Sequence, residues 1–128
     1  MYKEIILTVI IVILVIIGDV VTQKYTEDCV KDLNDELLIL RESIINNSTD
    51  NRIREIISTI EEKWELKKKK LVLYLEHDEL EKVAVQISDI RGKIDVKENQ
   101  SSVSEIDKCI FLLNHVKDKE AFNFKNIF

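Results

Sequence analysis

Between Ile5 and Ile17 every residue is apolar except Thr8, and Val20 and Val21 follow Gly18 and Asp19. Wound as a helix, the stretch from Tyr2 to Val21 reaches ~30 Å, about one hydrocarbon thickness. Lys3 and Glu4 would stand at one interface with Tyr2 as an interfacial aromatic, and Asp19 near the other. The reading is a single transmembrane anchor over residues 1–21. Two alternatives compete. A cleaved secretory signal shares the charged start and the apolar run, but neither Ile16 with Gly18 nor Val20 with Thr22 supplies the small pair that cleavage needs. A buried core helix would show a polar face, and this run has none. Lys3 and the terminal amine on one side nearly balance Lys24 and Lys31 on the other, so the positive-inside count is close to a tie. The signal-like position of the run favours export of residues 22–128, which places the protein in the cell membrane as a single-pass chain with an extracytoplasmic C-terminal domain.

Beyond the run the chain changes character. It has no Pro and two Gly, too few turn-forming residues for a many-stranded β fold. Apolar positions instead recur in steps of three and four. Val30, Leu33, Leu37, Leu40 and Ile44 make one ladder; Ile53, Ile56, Ile57, Ile60 and Trp64 a second. Leu80, Val83, Ile87, Ile90 and Ile94 make a third, and Val103, Ile106, Ile110 and Leu113 a fourth. Each set falls on one face of an amphipathic helix. The spacing predicts helices over Gln23–Asn46, Asn51–Leu75, Glu79–Val96 and Ser102–Lys117. The polar segment Asn46–Asp50 separates the first two, with Thr49 or Asp50 as a cap; its Asn47-Ser48-Thr49 triplet is a formal glycosylation acceptor that reads as turn chemistry. Asp78 with Glu81, and Ser102 with Glu105, have capping-box spacing. Lys93, Lys97 and Lys117 suit helix carboxyl ends. Short links favour antiparallel neighbours. The fold expected is all-α: an N-terminal transmembrane helix followed by an antiparallel bundle of about four helices.

Up-and-down topology brings distant residues to one end, beside the anchor. His77, in the link between helices two and three, and His115, at the end of helix four, would share it. Two histidines with Asp78, Glu79 and Glu120 nearby could hold zinc or a similar ion, although no ligand pair has the i, i+4 spacing of a helix-borne site; a helix-end His bonded to backbone or carboxylate is the simpler reading, and no cofactor is expected. Lys67, Lys68, Lys69 and Lys70 lie within a few turns of the same end. Each could add ~1 kcal/mol of attraction to anionic lipid, or touch an acidic partner, or be a solvated face partly neutralised by Glu61, Glu62 and Glu65 one turn upstream. Phe122, Phe124, Ile127 and Phe128 form an apolar tail that either packs over the open end of the bundle or docks on a membrane partner. Cys29 and Cys109 each lie ~12 Å along their helices from this end; a disulfide is conceivable in an exported domain, but free buried thiols are expected.

Other classes are disfavoured. The net charge is −5, from 24 acidic and 19 basic residues, which does not suit a nucleic-acid binder. There is no nucleophile with a recognisable base, no Gly-rich phosphate loop and no HExxH, so an enzyme is not expected.

The apolar start, Trp64 with the lysine run, the segment Leu73-Tyr74-Leu75-Glu76-His77-Asp78-Glu79-Leu80, the stretch Phe111-Leu112-Leu113-Asn114-His115-Val116, and the closing Lys125-Asn126-Ile127-Phe128 together resemble domain-of-unknown-function family 4363. The resemblance covers essentially the whole chain, with Val116 where Ile would be typical. It implies a small membrane-anchored protein of low-G+C Gram-positive bacteria, with no assigned activity and no catalytic residue to carry over. Some members are encoded beside multi-span membrane proteins, which favours a partner role. The function expected is that of an accessory subunit of a cell-envelope membrane complex, touching an integral membrane protein through His77, Lys67–Lys70 and the tail. The alternative is a metal- or ligand-sensing domain at His77 and His115.

Overall fold

Among the described residues the chain forms four helices and no strand: α1 (Tyr2–Ile45), α2 (Asp50–Leu71), α3 (His77–Asp95) and α4 (Asn99–Ile127). The computed structural model describes residues 1–127, apart from the side chains of Asn123, Phe124, Asn126 and Ile127. All-α architecture follows from the ladders. Helix α1 pairs with α2 and α4, and α3 with α2 and α4, closing an antiparallel four-helix ring.

The core consists of the spaced residues. Val30, Leu33, Leu37, Leu40 and Ile44 of α1 are buried, as are Ile53, Ile57, Ile60 and Trp64 of α2 and Leu80, Val83, Ile87, Ile90 and Ile94 of α3. Their steps alternate three and four, the heptad pattern that keeps a seam facing the partner helices. In α4 two of the four expected rungs, Ile106 and Leu113, are buried, and the other two give way to the residue before them. Val103 and Ile110 are only partly buried, while Ser102, Ile106, Cys109, Leu113 and Val116 face inward. Small side chains, Ser102 and Cys109, take two of the inner positions of α4, and hydropathy alone underrates them.

Each neighbouring pair of helices also carries a polar rung that fixes register. Lys63 donates to Asp32 (2.8 Å) and Glu36 (3.1 Å), joining α2 to α1. Arg91 donates to Glu61 (3.1 Å) and Ser58 (2.8 Å), joining α3 to α2. Gln86 donates to the Glu105 carbonyl (2.9 Å) and carboxylate (2.6 Å), joining α3 to α4. Arg41 meets Asp107 at 2.9 Å and Asn34 donates to Asn114 at 3.0 Å, joining α1 to α4.

The links explain where the helices stop. Asn47 has φ 55° and Lys97 φ 62°. After α1 the Ser48 amide bonds back to the Ser43 carbonyl and Asn47 to Ile44; after α3 the Glu98 amide bonds to Lys93 and Lys97 to Ile94. Both are left-handed carboxyl caps of the Schellman kind, so Asn47 is a turn residue and Lys97 serves by backbone conformation as well as charge. Thr49 caps α2 by accepting from the Arg52 amide at 3.3 Å. The other two capping boxes do not form. Helix α3 starts at His77 with Glu76 as its cap, so Asp78 lies inside the first turn. Ser102 sits inside α4, donating to the Asn99 carbonyl at 2.6 Å, while Glu105 answers Gln86. Helix α2 ends at Leu71, not Leu75: the amides of Leu73 and Tyr74 bond three residues back, tightening the chain into a turn. Helix α4 does not stop at Lys117, because no Gly, Pro or cap there breaks it, and it runs on through Ile127.

Helix α1 passes from its apolar half into the bundle without a break, and Gly18 marks no interruption. From Ile5 to Val21 the large apolar side chains are exposed, between 37% for Ile16 and 62% for Leu14. No bundle residue covers them. This helix is long and apolar enough to cross a membrane.

Candidate functional site

The end where the apolar half of α1 joins the bundle, here the proximal end, is where the core changes chemistry. The inner stripe of α1 continues downward as Thr26, Thr22 and Asp19, and that of α4 as Glu120. Thr26 is 1% exposed. The Tyr74 hydroxyl, from the α2–α3 turn, donates to the Thr22 carbonyl at 3.1 Å and lies 2.7 Å from the Thr26 hydroxyl. This three-residue pin fastens the turn to α1. Burial pushes the Tyr74 phenol up to about 12, so it stays a neutral donor at any ordinary pH.

Around the pin lies a cleft of ≈ 250 Å³ lined by Asp19, Thr22, Tyr74, Glu79, Lys119 and Glu120, among others. Lys119 bridges the carboxylates of Glu76 (3.1 Å) and Glu79 (3.5 Å), and so ties α4 to the start of α3. One oxygen each of Asp19 and Glu120 is buried without a hydrogen-bond partner among the described residues. Burial raises the Glu120 carboxyl above the usual carboxylate range; the charges of Glu27 and Asp19 add to this, and the Thr26 and Thr22 hydroxyls oppose it. The sequence reading places Glu120 at this end, beside the two histidines, but not on the buried stripe, although a signal was there: Glu120 falls seven residues after Leu113.

The expected site residues are gathered only in part. His77 Nε2 lies 3.0 Å from the Glu81 carboxylate on its own helix and is 76% exposed, whereas His115 faces Glu79 at 4.0 Å. The two histidines therefore attend opposite sides of α3, since positions two apart on a helix point ~200° apart. Among the described residues, no group of three or more His, Cys, Asp or Glu is placed to hold a metal ion. The lysine run divides. Lys67 is drawn inward to Asp32 of α1 at 2.8 Å, sharing it with Lys63, and these two hold the Asp32 carboxyl below its ordinary range. Lys68 is 3.9 Å from Glu65, the one upstream acid that pairs with the run, because Glu61 belongs to Arg91. Lys69 is exposed, and the Lys70 ammonium stands 5.4 Å from the centre of the Tyr25 ring, a cation–π distance.

Phe122 is 62% exposed on the last turns of α4 and does not fold over the bundle end. The side chains of Phe124 and Ile127, and Phe128 altogether, lie outside the described residues. Cys29 and Cys109 are free and buried. The α1–α4 register set by Asn34–Asn114 and Arg41–Asp107 puts Cys109 level with Ile39, about 15 Å up the bundle from Cys29. Their expected equal height fails because α4 extends well past Lys117. Deep burial raises the Cys109 thiol to about 12.

No curated protein and no solved structure matches this chain. A family model does, over residues 20–127, which takes in the whole bundle and leaves nearly all of the apolar run ahead of it. By that match the chain belongs to the DUF4363 family, a domain of unknown function.

Proposed function

We propose that this protein is a membrane-tethered interaction module, an accessory subunit that binds an integral membrane protein at the cell envelope and performs no catalysis of its own. In this reading residues 1–21 cross the bilayer and the bundle stands outside the cytoplasm. The observation that carries it is the unbroken passage of α1 from an uncovered apolar half into the bundle core. A helix apolar all round needs an apolar surrounding, and the bundle supplies none for it. A continuous helix also transmits orientation, so the bundle would be held at a set angle and height above its anchor.

The contact surface proposed is the proximal end, through His77 and the carboxyl end of α4 with Phe122. The test is photo-crosslinking in native membranes from a reactive residue at the exposed position His77, with identification of the captured chain. A discrete membrane-protein adduct, lost when residues 122–128 are deleted while helicity is retained, supports the proposal. Absence of any discrete adduct from the proximal end contradicts it.

A further inference from the structure

We infer that the α2–α3 turn is a seat for lipid headgroups, with Leu73 entering the acyl boundary and Lys69 and Lys70 meeting anionic phosphates. The inference rests on the proposal that α1 spans the bilayer, and adds a second point of contact with it.

The height of the turn is fixed by the pin. Tyr74 bonds the carbonyl of Thr22, the residue directly after Val21, where the apolar run ends. Tyr25, beneath the Lys70 ammonium, lies about 6 Å above Val21 along the helix. The headgroup layer on each side of a bilayer is about 5–7 Å thick. A bundle whose anchor ends at Val21 therefore holds the Lys70 charge at phosphate level, and the turn cannot stand clear of the surface.

The side chains at that height suit such a layer. Leu73 is 81% exposed and Val72 45%, an apolar tip on a turn whose other large side chains, Leu71, Tyr74 and Leu75, pack on the core. Lys69 and Lys70 have no carboxylate partner among the described residues. Of the acids at this end, Glu76 and Glu79 are paired with Lys119 and Asp28 with Lys24, Asp19 and Glu120 line the cleft, and Glu27 is exposed. Asp78, in the first turn of α3, is exposed. An apolar tip beside two uncommitted ammonium groups is the chemistry of an interfacial contact. A protein groove would be an alternative occupant, but nothing fixes its height, whereas the pin fixes that of the lipid.

The experiment uses the full chain in nanodiscs of phosphatidylcholine alone or with phosphatidylglycerol. Nitroxide labels are placed singly at Leu73→Cys, Ile10→Cys and Ser48→Cys, and collision with oxygen is compared with collision with a water-soluble nickel chelate. The buried native thiols are controlled by labelling the parent chain. Leu73 is expected to show an oxygen-to-nickel ratio several-fold above that of Ser48 at the far end. The ratio should be larger with phosphatidylglycerol, and the lipid dependence should disappear in the Lys69→Gln, Lys70→Gln double variant. A Leu73 label as open to nickel as Ser48, while Ile10 is shielded, overturns the seat and leaves the anchor standing. Nickel access at Ile10 overturns both. Shielding of Leu73 in native membranes but not in nanodiscs means that a protein covers it, and also overturns the inference.

Discussion

The two ends of the bundle are built on opposite terms. At the far end, α1 and α3 finish in left-handed caps that satisfy their last carbonyls, and the core is closed by Ile44, Ile53 and Ile94, each at most 3% exposed. At the proximal end the same inner stripes turn to Thr26, Thr22, Asp19 and Glu120, a cleft opens, and two carboxylate oxygens lack partners. Stability resides in the first arrangement. Polar groups held unsatisfied cost free energy; the two unpartnered carboxylate oxygens, of Asp19 and Glu120, lie on the side from which the apolar helix emerges, whereas the far end holds the amide oxygen of Asn99. The body of the bundle thus works as a clamp that holds a less stable, chemically mixed end in place.

Four substitutions would break or sharpen that contrast. Leu37→Ala, in the middle of the core at 0% exposure, should cost about 2–5 kcal/mol, read as a fall in the denaturation midpoint. A cost near zero would mean that the apolar body does not carry the fold. Tyr74→Phe removes the pin's donor and should cost about 1–2 kcal/mol, with amide exchange rising in residues 72–76 before it rises in the helices. Glu120→Gln should stabilise the protein by about 1 kcal/mol at neutral pH. The sign follows from the raised carboxyl: its contribution is complete below the ordinary carboxylate range and is lost as pH rises through the folded value. The parent and variant melting curves should therefore converge at about pH 4 and separate as pH increases. At the far end, Lys97→Gly should add up to about 1 kcal/mol, because glycine adopts the positive φ without the penalty that Lys bears.

How far such features can be read in advance differs along the chain. The ladders of α1, α2 and α3 were legible because Leu and Ile at heptad spacing admit one amphipathic face, and each of their rungs is buried in the structure. Helix α4 was legible as a helix and in half of its ladder: Ile106 and Leu113 are buried as expected, whereas the small, weakly apolar Ser102 and Cys109 take inner places that hydropathy gives to Val103 and Ile110. Its end was misplaced at Lys117 because a basic residue resembles a carboxyl cap even where the helix continues. The proximal site was the least legible. Tyr74 reaches Thr22 across fifty-two positions, and no local pattern announces such a bond. Glu120 was readable in principle, as an acid in an apolar register. Lys67 and Lys70 look alike in a run of four, and only the packing of α2 on α1 separates the one that meets Asp32 from the one that meets Tyr25.

A tethered bundle requires that the exposed apolar half of α1 remain in lipid. The direct measurement is the intact mass of the native protein after its membranes are washed at alkaline pH. The account predicts recovery in the membrane fraction of a chain that still contains Ile5–Val21. A shortened chain beginning at or after Gly18 and released into the wash would contradict it.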